Sequence, residues 1–199
     1  MIYFYPTTTM IDELSNNWGV IRTPLYYATM PHNRPWILDN GMFTEKTSIN
    51  DLFAYMQKMD KYKSSCKFVV CPDVVCNCIA TMDRYRQFAW QIKSLGWTVA
   101  FAAQDGQESY PLPPEYDAIF IGGSTEWKLS GAADYCIKQA QDKGKWTHVG
   151  RVNSKKRIRH FQLIGVDSVD GTNPIFSPDR NIPNLDRQLR QEPLFRLEV

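Results

Sequence analysis

Long apolar runs are missing from this sequence of 199 residues. No stretch approaches the roughly 18 consecutive apolar residues of a membrane-spanning helix, and the mean hydropathy is −0.40. The first residues, MIYFYP, have neither a basic stretch nor a small-residue cleavage site, so they predict a strand and not a signal peptide. We therefore expect no membrane association and a cytoplasmic location.

An excess of one charge is also missing, since 23 Lys and Arg stand against 21 Asp and Glu. This balance excludes a strongly basic coat for nucleic acid, although it is compatible with a local basic patch. Wholesale disorder is excluded too, because aromatic residues make up 13% of the chain and the net charge is only +2.

Cysteine pairs with the spacing of a zinc site are also missing. The five cysteines are an odd number without secretory context, which favours reduced thiols in a cytosolic protein. Cys71, Cys76 and Cys78 do not form the usual C-x2-C pairs, and no His lies near them in the sequence. We therefore expect no metal and no cofactor.

Short apolar runs alternate with helical patterns along the chain, without repeats or Gly/Ser linkers. Continuous runs such as FVVC at 68–71 are typical of parallel strands that are covered on both faces. The alternation predicts an α/β fold with a parallel sheet, open or closed, in one domain spanning 1–199. The predicted strands are Ile2–Tyr5, Pro35–Leu38, Lys67–Cys71, Thr98–Ala102, Ala118–Ile121, Thr147–Val149 and Gly165–Val169.

Four helices are predicted between these strands from their apolar spacing and end signals. The first starts at a capping box at Ser48, and the second ends at Gly96. The third runs from Ser130 to Gly144, and the fourth runs from Asn153 or Ser154 to Gly165. From Pro174 to the last residue, prolines and arginines predict an irregular or partly helical tail.

Polar residues and glycines follow the predicted strands, where the catalytic loops of α/β folds lie. Each is an ordinary turn signal by itself, but together they place carboxylates, an amide and a glycine pair at one edge of the sheet. In order, the segments are Asp39-Asn-Gly-Met-Phe43, Pro72-Asp73, Gln104-Asp-Gly106, Gly122-Gly-Ser124, His148-Val-Gly-Arg151 and Gly165-Val-Asp-Ser-Val-Asp170.

The order of these segments resembles the tRNA-guanine transglycosylase superfamily, and it looks closest to the short phage and bacterial branch that inserts 7-deazaguanine bases into DNA. The resemblance covers roughly residues 36–172 and implies a compact TIM-like (β/α)8 barrel. Because such barrels usually need about 250 residues, this one would be trimmed. The implied partners are DNA and a free 7-deazaguanine-type base, in the host cytoplasm if a phage encodes the protein.

Two departures from the family are visible. The usual Asp-Ser-Gly-Gly-Phe is here Asp39-Asn-Gly-Met-Phe43. The tRNA enzymes carry a zinc site of three cysteines and a histidine after the nucleophile, whereas no cysteine follows Cys136 here. The expected barrel therefore lacks the C-terminal zinc subdomain.

The resemblance implies roles for the matching residues. Asp170 matches the nucleophilic aspartate, and Asp39 matches the aspartate that acts as acid and base on the exchanging purine. The residues that match the positions around the polar edge of the purine, or adjoin them, are Asp73, Gln104, Gly122 and Gly123.

These residue types suit the chemistry of base exchange. Cleavage of a glycosidic bond passes through an oxocarbenium-like sugar, which one carboxylate can trap while a second group moves the proton of the base. Asp170 and Asp39 supply this pair. Asp167 competes with Asp170 or supports it, because residues three apart on an extended segment point to opposite sides. Phe43 is a candidate for stacking on an extruded base, with core packing as the alternative.

A basic run precedes the last strand and consists of Lys155, Lys156, Arg157 and Arg159. It is either a solvated helix face or a contact to DNA phosphates beside the site. The sequence thus predicts an enzyme that replaces guanine in DNA with a 7-deazaguanine derivative through a covalent aspartyl intermediate. Action on tRNA, release of the base without reinsertion, and a non-catalytic nucleic-acid-binding barrel are the alternatives.

Overall fold

A computed structural model describes residues 1–6, 11–25, 30, 34–44 and 46–191. Eight parallel strands close into a barrel in chain order, and the eighth strand pairs with the first. The strands are β1 (Ile2–Tyr5), β2 (Trp18–Arg22), β3 (Trp36–Leu38), β4 (Cys66–Val70), β5 (Val99–Ala103), β6 (Ala118–Ile121), β7 (Trp146–Val149) and β8 (Ser168–Asp170). The predicted α/β fold with a parallel sheet is confirmed, and the sheet is closed.

The described helices surround the barrel on its outer side. They are α1 (Ile49–Met59), α2 (Cys78–Ser94), α3 (Thr125–Lys128), α4 (Gly131–Asp142), α5 (Lys155–Leu163) and α6 (Pro178–Arg190). The predicted capping box begins α1, where Ser48 and Asp51 bond to each other's backbone N–H groups. Within the described part of the chain, no helix has both the length and the apolar character needed to cross a membrane.

Side chains of the strands alternate between two apolar clusters. One cluster contains residues of both strands and helices, such as Phe101 and Ile137, and lies between the barrel wall and the helices. The fully or almost fully buried members of the other come from strands alone, which places that cluster inside the barrel. Its members include Phe4 and Phe68, facing the small Ala100. The interior is therefore a packed core, and space for a ligand remains only at its ends.

One expectation about the strands needs correction. Trp18–Arg22 was not predicted as a strand, yet β2 is fully built into the barrel. The tail was expected to be irregular or partly helical, and 178–190 form α6 because Ile182, Leu185 and Leu189 recur at helical spacing and are buried. Residues 192–199 of that tail lie outside the described residues.

Candidate active site

A cavity of about 420 Å³ opens at the carboxyl ends of the strands, a volume typical of small-molecule sites. Loops after strands on all sides of the barrel contribute to its lining, so closure of the barrel brings together residues that are far apart in the sequence. The predicted site residues that line it are Asp39, Phe43, Asp73, Gln104, Gly122, Gly123 and Asp170.

Asp170 is the last residue of β8, and its side chain is 12% exposed. Its Oδ2 lies 2.9 Å from Nε2 of His148, and its Oδ1 accepts a hydrogen bond of 3.0 Å from the backbone N–H of Arg151. These two contacts hold the carboxylate at the base of the cavity and stabilise its negative charge. Asp170 is therefore oriented before any substrate arrives.

His148 was not predicted as a site residue, but it is the direct partner of Asp170. The ring is fully buried and stacks on Phe120 at 4.9 Å between centroids. Burial lowers the pKa of His148 below its ordinary value, so the ring is neutral at neutral pH and carries one N–H. One signal was visible in the sequence, namely a histidine in the middle of the predicted strand Thr147–Val149.

A chain of hydrogen bonds fixes the tautomer of His148. Nε1 of Trp146 donates to Oγ of Ser168 at 2.8 Å, and that Oγ lies 2.9 Å from Nδ1 of His148. The Asp170 carboxylate, 2.9 Å from Nε2, can only accept, so the ring hydrogen sits on Nε2 and donates to it. Nδ1 is then an acceptor, and the Ser168 hydroxyl donates its hydrogen to it.

Asp39 follows β3 and faces the same cavity. Burial raises its pKa to about 7, with additional contributions from the negative charges of Asp170 and Asp73. The backbone N–H of Gly41 donates to its Oδ1 at 3.2 Å, which offsets part of this effect. A carboxyl group that titrates near neutral pH is suited to give and take protons.

Asp73 forms a buried polar cluster with Asn40 and Gln104. Its Oδ1 accepts from Nδ2 of Asn40 at 2.9 Å, and its Oδ2 accepts from Nε2 of Gln104 at 2.5 Å. Burial raises the pKa of Asp73. Each oxygen retains a lone pair, so the carboxylate can still accept two donors from a ligand. Asn40 is a further site residue that sequence reasoning missed.

Gln104 and the glycine pair support this cluster from the protein side. Oε1 of Gln104 accepts from the backbone N–H groups of Cys76 and Gly123, each at 2.9 Å. The N–H of Gly122 donates to the carbonyl of Ala103. A Cβ at Gly122 would lie 2.5 Å from Nε2 of Gln104. The glycines therefore leave room for Gln104 to reach Asp73.

Replacing Gly123 with Ala should lower the free energy of unfolding by about 1–3 kcal/mol. The residue has φ of +53°, and a Cβ there would lie 2.4 Å from the ring of Trp127. Urea unfolding measures the loss. Gly131→Ala is the matched control, because a Cβ at Gly131 meets nothing within 4 Å. Equal effects of both variants would contradict the steric role of Gly123.

Arg151 is a second cavity residue that was not among the predicted site residues. It has φ of +59°, which is strained for a residue with a side chain. This conformation aims its N–H at Asp170 and leaves its guanidinium over the ring of Phe43, 4.4 Å from the centroid. Phe43 is 57% exposed, so it stands at the cavity mouth and not in the core.

Lys128 holds the loop that carries Arg151 in place. Its Nζ donates to the carbonyl of Gly150 at 2.5 Å, directly before Arg151. Burial, followed by the charge of Arg151, lowers the pKa of Lys128 to about 7. This buried contact holds the backbone that delivers the Arg151 N–H to Asp170.

The structure places Asp167 outside the cavity, which corrects its assignment to substrate binding. Its Oδ2 accepts from the N–H and the hydroxyl of Thr147 at 2.8 and 2.9 Å. Asp167 immediately precedes the three-residue β8, whereas Asp170 ends that strand. The two carboxylates therefore lie at opposite ends of the barrel, and Asp167 cannot reach the ligand site.

The predicted basic run is divided between two locations on α5. Lys155, Lys156 and Arg159 line a groove between α5 and α6, where Arg187 joins them. Arg157 is absent from this lining and lies close enough to Lys128 to affect its pKa. We call the four groove residues the basic groove.

Among the described residues, no group of three or more His, Cys, Asp or Glu side chains could hold a metal ion. All five cysteines are free. The absence of a bound metal ion remains a prediction. Comparison of the chain with models of known protein families and with curated proteins gives no match. The function is therefore inferred from the geometry of the site itself.

Proposed function

We propose that the chain is a DNA base-exchange transglycosylase, a pentosyltransferase that replaces guanine in DNA with a 7-deazaguanine derivative. One observation supports this most strongly: two of the carboxylates in the cavity, Asp170 and Asp39, lie in different environments. Asp170 accepts hydrogen bonds from His148 and Arg151, whereas the pKa of Asp39 is raised to about 7. A nucleophile and a separate acid/base group require this division.

In the first step, the Asp170 carboxylate attacks C1′ of the target nucleotide and the bond from C1′ to the base breaks. The base leaves with the electron pair of that bond and takes a proton from Asp39. In the second step, Asp39 removes a proton from the incoming base, which attacks C1′ and releases Asp170. Two displacements at one carbon retain the stereochemistry of the sugar.

Asp73 supplies the recognition of the base. Guanine presents two neighbouring donors, N1–H and the 2-amino group, and a 7-deazaguanine presents the same two. A carboxylate that is acceptor-only matches this pair, and Asn40 and Gln104 hold the Asp73 carboxylate in place. Both the leaving and the arriving base can therefore occupy one site.

The barrel architecture supports the proposal as well. We infer a TIM-like (β/α)8 barrel of trimmed form. The described connection between β5 and β6 contains only a short turn of 3-10 helix at Gln107–Ser109 instead of a full helix. The cavity lies at the carboxyl ends of the strands, as in enzymes of this architecture.

The proposal is tested by incubating purified protein with DNA and labelled guanine, with tRNA in a parallel reaction. We expect label to enter DNA. Exchange in tRNA but not in single- or double-stranded DNA would contradict the choice of substrate. Release of guanine without incorporation of label would identify a base-releasing glycosylase instead.

The basic groove is expected to bind DNA phosphates. Replacing Lys155, Lys156, Arg159 and Arg187 together with Ala should weaken DNA binding and reduce its logarithmic salt dependence by about one unit per residue. Exchange at saturating DNA should change little, since these side chains lie outside the cavity. Fluorescence anisotropy with a labelled duplex at several salt concentrations measures the slope.

The matched control removes four cations from other helices and turns. Its residues are Lys61, Arg86, Lys138 and Lys143. Both variants lose the same net charge, so a general electrostatic effect would weaken binding equally. That result would contradict a specific role of the basic groove.

A further inference from the structure

Exposed apolar side chains lie at the mouth of the cavity and on a turn that follows one of its lining residues. Leu25 and Phe43 line the cavity and are 48% and 57% exposed. Ile175 and Phe176 follow the cavity-lining Thr172 and are 44% and 69% exposed. Clustered apolar groups on a surface mark a contact with another molecule.

The turn that carries Ile175 and Phe176 is rigidly held. The N–H groups of Thr172 and Asn173 both donate to Oδ1 of Asn153, at 2.7 and 3.1 Å. Nδ2 of Asn181 donates to the backbone carbonyls of Asn173 and Phe176. The exposure of the two apolar side chains is therefore a built feature of the turn and not the result of a loose loop.

The strained backbone at the end of the turn supports the same conclusion. Ser177 has φ of +56°, a conformation that costs free energy in a residue with a side chain. Three residues earlier, the buried Pro174 lies at the start of the turn. The strained residue therefore lies directly after the exposed Phe176.

The turn is also close to the nucleophile. The N–H of Ile175 donates to the carbonyl of Thr172 at 2.9 Å, and Thr172 lies two residues after Asp170. A group that presses into a duplex at Phe176 would therefore act beside the nucleotide that reaches Asp170.

The surrounding charge identifies the class of partner. Residues 151–190 contain eight Lys and Arg against four Asp, although the whole chain carries only +2. Of these carboxylates, Asp167 and Asp170 accept hydrogen bonds within the barrel, and Asp186 forms an ion pair with Arg190, which is one of the eight cations. An apolar turn within a cationic surface fits a polyanion with apolar faces between its charges, which is a description of stacked bases between phosphates.

We propose that Phe176, supported by Ile175, is a wedge that enters the DNA duplex and stacks on the base beside the extruded guanine. This rests on the proposed function and extends it, since it makes duplex DNA the substrate. A base can reach a buried carboxylate only after it leaves the helical stack, and an inserted apolar side chain compensates for the lost stacking.

The wedge is tested with Phe176→Ala, and Trp90→Ala is the matched control because Trp90 is 74% exposed on α2. Guanine exchange is measured on a duplex and on the single strand of the same sequence. We expect Phe176→Ala to lower exchange on the duplex at least tenfold and on the single strand less than twofold. Phe176→Trp should restore most of the duplex activity.

A second readout is independent of exchange. In an Asp170→Asn background, a duplex with 2-aminopurine beside a guanine should gain fluorescence on binding, because the probe loses its stacking. Phe176→Ala should remove that gain, and Trp90→Ala should leave it unchanged. The outcome separates the two proposals, because unstacking in this background together with no exchange by the unmodified protein would overturn the proposed function and leave the wedge.

Three results would overturn the wedge. Duplex exchange that is unaffected by Phe176→Ala would exclude it while the proposed function stands. Equal losses on duplex and single strand would assign Phe176 to general stacking on nucleic acid. Unchanged DNA binding together with loss of a protein partner in a pull-down would assign the turn to a protein interface.

Discussion

Replacing Asp170 with Asn should abolish guanine exchange in DNA, with a loss on the order of 10⁴-fold or more, because an amide cannot form the covalent aspartyl intermediate. Asn is nearly isosteric and keeps an oxygen for the N–H of Arg151, which donates at 3.0 Å to Oδ1. The fold should therefore persist. Exchange of labelled guanine measures the activity, and denaturing electrophoresis detects the protein–DNA adduct, which should vanish as well.

Asp167→Asn is the control for this variant. It makes the same chemical change three residues earlier, at a carboxylate that bonds to Thr147 outside the cavity. We expect exchange close to that of the unmodified protein. If Asp167→Asn abolished exchange and Asp170→Asn did not, the nucleophile would have been assigned to the wrong residue.

Replacing Asp39 with Asn should slow turnover by about 10²-fold or more, the usual contribution of a positioned acid/base group. The nucleophile remains in this variant, so the adduct with DNA should still form, but more slowly, because the leaving base receives no proton from residue 39. Resolution of the adduct should slow as well, because the incoming base is not deprotonated. Single-turnover kinetics separate formation of the adduct from its resolution.

The pH dependence gives a sharper check on Asp39. Burial and the neighbouring carboxylates raise its pKa to about 7, so below that pH the group is an acid and above it a base. Each cycle needs both forms, and the rate should pass through a maximum near neutral pH. The residual rate of Asp39→Asn should lose this maximum. An unchanged pH profile and turnover would reduce Asp39 to a turn residue.

The sequence predicted most of the barrel because its strands are short apolar runs. β2 was missed, since WGVIR contains a glycine and ends in Arg22, which reads as polar. In the structure Arg22 is fully buried and donates to the carbonyl of Pro6 at 2.9 Å. A cation with internal acceptors can belong to a strand, but the acceptors are visible only in three dimensions.

The site residues that were missed or misplaced have a similar physical explanation. Asp39 and Asp73 follow strands and Asp170 ends one. The sequence could therefore place all three carboxylates at the same edge of the sheet. The partnership of His148 with Asp170 depends on the register of β7 and β8, in which His148 pairs with Ser168. The error at Asp167 arose from the start of the last strand, which was predicted at Gly165 but lies at Ser168. Asp167 was therefore expected within the strand, whereas it lies before the strand, at the end of the barrel away from the cavity.

The central proposal is tested most directly by mass spectrometry of nucleosides from cells that make this protein and receive a 7-deazaguanine precursor. DNA and tRNA are digested separately, and cells making Asp170→Asn serve as the reference. We predict a 7-deaza-2′-deoxyguanosine derivative in DNA only when the unmodified protein is present. The same nucleoside content in both cultures, or a modified nucleoside confined to tRNA, would contradict the assignment.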